Sequence, residues 1–139
     1  MKKRLLSVLL IGVLMLGVFT TPAAAISMRA SDQIARYYSY LSPGENGEFG
    51  IVFSISGTRT MKKIGAKEIV VYEQVGNRWS LVKTYNSSTP GMYEEDTFAF
   101  ANAMQYSGTP GAYYKVVVTV FAENAAGSDS RTETHYITA

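Results

Sequence analysis

His135 is the chain's one histidine, and it stands two residues from Glu133 and four from Arg131 near the C-terminus. Any Ser-His-Asp arrangement would have to be built on it, because a serine nucleophile needs a base that titrates near neutrality. Cysteine is absent. A thiol nucleophile is therefore impossible, and a zinc site, which takes about three or four Cys, His or carboxylate ligands, would rest on a single imidazole. Glu94-Glu95-Asp96 is the one acidic cluster. It could supply carboxylates to a small hydrolase or oxygens to calcium. Calcium, however, takes about six to eight oxygens in a spaced loop, and no Asp-x-Asp-x-Asp-Gly run occurs. Two glycosidase carboxylates need a set separation in space, which a linear chain does not display. The residues point to no catalytic constellation, no cofactor and no metal.

Two groups of residues suit binding instead. Tyr72, Trp79 and Tyr85 fall on segments expected to pair, and exposed rings there would stack on sugars or hold a peptide. Tyr37, Tyr38, Tyr40 and Tyr93 are further candidates. The competing role is core packing, since aromatic side chains dominate burial in small domains. The second group is basic: Arg59, Lys62, Lys63 and Lys67 sit in or beside one long link, able to meet an anionic wall polymer or another protein. A solvated surface of scattered charge is the plainer reading.

The elements that must position these side chains are strands. After residue 25 the chain holds two leucines, Leu41 and Leu81, against nine valines, seven isoleucines, ten threonines and ten tyrosines. β-Branched and aromatic residues suit a pleated, half-buried surface, whereas helices favour Leu, Ala, Glu and Lys. The expectation is an all-β domain of about seven strands, a single immunoglobulin or fibronectin type III-like sandwich. Residues 49–56 alternate cleanly, with Phe49, Ile51, Phe53 and Ile55 on one face. Gly57 to Lys67 reads as a link, in which Met61 and Ile64 plug the end of the core. Segments 67–74 and 79–85 form a hairpin across Val75-Gly76-Asn77-Arg78. Residues 96–106 could be an alanine-rich helix, but as a strand they set Phe98, Phe100, Met104 and Tyr106 on one face. Ala112 to Glu123 has the strongest pattern, with Tyr114, Val116, Val118, Val120 and Ala122 aligned. Ser128 to Thr138 is a polar edge strand.

The N-terminus reads differently. Lys2, Lys3 and Arg4 precede an apolar run of fifteen residues, Leu5 to Phe19, then Pro22 and Ala23-Ala24-Ala25. That is the layout of a secretory signal peptide, with Ala23 and Ala25 as the signal peptidase site. The apolar run is short of the roughly 20 residues needed to span a bilayer. Cleavage after Ala25 leaves one domain, residues 26–139. Three of the 13 Lys and Arg residues lie in the first 25, so the remaining 114 residues carry 10 against 11 Asp and Glu, a net charge of −1. The basic pI of about 8.8 thus belongs to the export signal. A nucleic-acid partner, which calls for a basic domain surface, is not expected. Asn86-Ser87-Ser88 reads as an incidental loop sequon.

Pro110-Gly111-Ala112-Tyr113-Tyr114, the alternating valines to Asn124-Ala125-Ala126-Gly127 and the Ser/Thr-rich final strand resemble the last two strands of a fibronectin type III or immunoglobulin-like domain. That resemblance implies that Tyr114 is the "tyrosine corner", its ring buried and its hydroxyl bonded to nearby backbone. The strand is about two residues longer than that pattern, and the only tryptophan, Trp79, lies on the fourth expected strand. Lys63-Ile64-Gly65-Ala66, Trp79 to Tyr85 and Gly127-Ser128-Asp129-Ser130-Arg131 are also similar to motifs of an uncharacterised family of small secreted proteins of Gram-positive bacteria. The resemblance implies a secreted protein, free or associated with the cell wall, and brings no active site. The function expected is a monomeric, non-catalytic interaction module that binds protein or carbohydrate. A small carboxylate-dependent hydrolase and a secreted effector or toxin-like protein are the alternatives.

Overall fold

The computed structural model describes residues 31–139, so the expected export signal, with Ala23 and Ala25, lies outside the described residues. Six strands and no helix make up the described chain: β1 (Ile34–Pro43), β2 (Glu48–Val75), β3 (Arg78–Tyr85), β4 (Tyr93–Ser107), β5 (Tyr113–Asn124) and β6 (Gly127–Thr138). All pair antiparallel in one sheet.

β2 organises the fold. Two expected strands and the link between them are one strand of 28 residues. Its first half, residues 49–56, is flanked by β1 and β4, and residues 69–73 by β3 and β5. β6 pairs with β5. The link holds no turn-forming pair to break the strand; it bulges instead, with a register shift against β4 between Ser56 and Met61. Met61 and Ile64 are fully buried, as a core plug requires. The bulge also explains an error in the expected faces. Phe98 stands on β4 between the paired Thr97 and Ala99, where β2 has bulged away, and its ring is 63% exposed.

The sheet curls until its two ends meet. Phe49, at the start of β2, packs 5.4 Å from Tyr114, which pairs with Glu73 near the other end of the same strand. Tyr106 closes that aromatic group at 5.3 Å from Phe49. Inside the curl lie Phe49, Ile51, Phe53 and Ile55 of β2 and Tyr114, Val116, Val118, Val120 and Ala122 of β5. Each large apolar side chain buried this way contributes roughly 1.5–3 kcal/mol. Their strict alternation reflects the two-residue period of a strand with one face covered.

Turns match their residues. Asn46 and Gly47 both adopt positive φ, of 55° and 85°, and a side chain at Gly47 would meet the Gly108 carbonyl at 2.4 Å. Gly76 (φ 62°) takes the first central position of the two-residue β2–β3 loop, where a type II′ turn needs glycine.

β1 and β6 are joined by side chains and not by a ladder. Asp129 accepts from the Ser31 hydroxyl and, at 2.9 Å, from the Gln33 backbone N–H. Further along, the Ser39 hydroxyl donates to Glu133. Asp129, Arg131, Glu133 and His135 stand opposite the buried Ala122, Val120, Val118 and Val116, on the face that turns inward. Inward charges on an edge strand discourage pairing with another chain.

Candidate functional site

The seam between β1 and β6 holds the one constellation with a nucleophile and a base. Ser39 Oγ lies 2.7 Å from His135 Nε2, a contact that sequence separation concealed. Glu133 is 3.8 Å from that same ring nitrogen and accepts the serine's hydrogen bond. A triad needs its carboxylate on the opposite nitrogen, Nδ1, to orient the ring and hold the imidazolium. With acid and serine both on Nε2, the three groups form a polar clasp and no relay. Glu94, Glu95 and Asp96 open β4 and are exposed, Glu95 opposite Lys63. Among the described residues no group of three His, Asp or Glu side chains is placed to hold a metal ion.

The outer face of the sheet around Trp79 is built differently. Tyr72 pairs across to Lys115, and Lys115 across to Tyr136. One step along, Trp79 stands opposite Gln74 and Tyr113 opposite Thr138. Four rings and one ammonium therefore share a surface. Trp79 lies 5.7 Å from Tyr113 and 5.9 Å from Tyr136, while Tyr113 and Tyr136 stack at 5.9 Å with 18° between their planes. The Lys115 ammonium sits 4.6 Å from the Tyr72 ring centre and 5.0 Å from Trp79. A cation over an aromatic face in water contributes about 0.5–1 kcal/mol. Tyr136 remains 54% exposed and Tyr113 39% exposed, and Leu81, opposite Tyr72, is bare at 59%.

Of the three expected ring residues, the structure brings Tyr72 and Trp79 together and turns Tyr85 the other way. Strict alternation along β3 puts Trp79 and Tyr85 on one face. Val82 breaks it: Leu81 pairs with Tyr72 but Lys83 with Val71, leaving Val82 as an extra residue. A one-residue bulge exchanges the faces beyond it. Tyr85 thus enters the core, 7% exposed, its hydroxyl donating to the Gln105 carbonyl at 3.1 Å. Burial raises its phenol pKa. Tyr113, Lys115 and Tyr136 take its place in the cluster. Their signal was present in the sequence, since Tyr113 and Lys115 lie on the mixed face of β5, but the pairing that brings Tyr136 beside them is a long-range fact.

Other candidates scatter. Tyr37 packs on the core, while Tyr38 and Tyr40 face outward on β1, 6.3 Å apart and 13° from parallel. Arg59, Lys62, Lys63 and Lys67 lie along β2 and not in a loop. Tyr114 is fully buried, and its hydroxyl accepts from the Thr109 N–H at 2.7 Å. Comparison with known proteins adds no relative: no protein-family model matches the chain, and no curated protein does.

Proposed function

We propose that the protein is a secreted, non-catalytic binding module that holds carbohydrate on the outer sheet face around Trp79. The observation that carries this reading is the outward-facing ring group in which exposed Tyr113 and Tyr136 pack against half-buried Trp79, with Tyr72 and Lys115 beside them. Sugar rings present flat C–H faces that aromatic surfaces cover, and Gln74, Thr134 and Thr138 supply neighbouring groups for hydroxyls. A protein partner is the other occupant such a face suits.

Export rests on residues 1–25, a signal peptide cut after Ala25, which places the protein outside the cell or at its wall. The curled sheet is read as an immunoglobulin or fibronectin type III-like sandwich, and the Tyr114 hydroxyl bonded to Thr109 supports that reading as a tyrosine corner. Membership of a family of small secreted proteins of Gram-positive bacteria is part of the same proposal.

Pull-down on cell-wall polysaccharide and on secreted protein tests it. Tyr136→Ala and Trp79→Phe, with unfolding temperature measured as a control, are expected to weaken polysaccharide retention about fivefold to tenfold, the scale of one lost aromatic contact. Retention of protein alone would replace the carbohydrate reading. Turnover of a substrate with no binding by this face would end the module reading.

A further inference from the structure

At the far end of the same outer face, eight residues along β5 from Tyr113, the surface sinks into a depression of about 650 Å³ lined by Lys63, Lys67, Glu68, Tyr93, Phe121 and Glu123. The volume is in the range of small-ligand sites, roughly 300–1,000 Å³. Its floor has a local cause. Gly65 stands in register between Tyr93 on β4 and Phe121 on β5, and a side chain there would strike the Met92 carbonyl at 2.3 Å. Glycine lets the strands close up, and the two rings meet edge to face across it at 6.3 Å.

The charges around this floor are unspent. Lys63 stands directly opposite Glu123 on β5 and Glu95 on β4, close enough for a cross-strand ion pair. Its ammonium lies instead 5.6 Å from the Tyr93 ring centre. Among the described residues no Lys or Arg lies within ion-pairing distance of a carboxylate, and the one contact of that length is from His135 Nε2 to Glu133 at 3.8 Å. Two ammonium and two carboxylate groups thus surround an aromatic floor without pairing to one another.

We propose that this depression binds a short peptide bearing both a free ammonium and a free carboxylate, with an apolar side chain between them. Lys63 and Lys67 face the carboxylate, Glu68 and Glu123 the ammonium, and Tyr93 and Phe121 cover the apolar group. A neutral sugar fits less well. The edge-to-face rings offer no flat platform, and four charges would lose hydration with nothing gained in return.

The test is a titration of the protein, followed by backbone amide shifts, with Gly-Phe-Gly carrying free termini and with its acetylated, amidated form. The expected result is saturable shifts at Gly65 and Phe121 with a Kd of about 1 mM, as a few solvent-screened contacts allow. The blocked peptide and the exposed-site variant Lys67→Glu are each expected to bind at least about tenfold more weakly. Equal binding of the blocked peptide overturns the proposal, as does the absence of shifts to about 10 mM or the same shifts with a neutral oligosaccharide. Emission of Trp79, the only tryptophan, reports the ring face separately. Failure here and failure of the carbohydrate reading are therefore distinguishable.

Discussion

Asp129 shows how one side chain ties two edges. The Ser31 hydroxyl, foremost, and the Gln33 N–H hold its carboxyl below the usual carboxylate range. A pKa depressed on folding contributes stability above the unfolded value, near about 4. That contribution is lost as pH falls from there through the lower folded value. The unfolding temperature should therefore drop between about pH 4 and pH 2 more steeply in the native protein than in Asp129→Asn. Equal slopes would show that the contacts of Asp129 with Ser31 and Gln33 carry no linkage. Tyr114 makes a second single-residue case. Tyr114→Phe keeps the buried ring but removes the acceptor for Thr109 N–H, and should cost about 1 kcal/mol in denaturant unfolding.

At the scale of elements, β2 carries the fold. Met61 is fully buried at its bend, so Met61→Ala should cost about 2–5 kcal/mol, read by chemical denaturation. Gly65→Ala drives a methyl into the backbone of β4 and should cost about 1–3 kcal/mol as overpacking. It should also shift the Tyr93 and Phe121 amides. How much of this was legible in the chain depends on distance. The alternation of Phe49 to Ile55 and of Tyr114 to Ala122 displayed the core directly, because a two-residue period is local. The continuity of β2 was not visible, since Gly57 to Lys67 carries mixed polar and apolar residues that suit a bulged strand or a link equally. The bulge at Val82 left no mark at all. It arises from pairing with β2, and it alone decides that Tyr85 is core and not surface. Half of the ring cluster was therefore within reach of the sequence. The approach of Tyr136 and the unpaired charges near Gly65 depend on which strands neighbour one another.

Residues 31–139 form a curled sheet whose inside is apolar and whose outside carries aromatic and charged side chains. At one end lie four rings and a lysine, and at the other a charged depression over two more rings. The clasp at the β1–β6 seam, with Ser39, Glu133 and His135, closes the curl and leaves both outer sites on the side formed by β2, β3, β4, β5 and β6. On the function proposed above, packing is the work of the inner face and recognition that of the outer. Trp79 emission during titration with soluble wall oligosaccharides, for the native protein and for Tyr136→Ala, decides whether the outer face binds. A saturable change is expected in the native protein, and a binding constant weakened about fivefold or more in the variant, with unchanged unfolding temperature. No change in emission at any oligosaccharide concentration, or identical titrations for the two proteins, would contradict the proposed function.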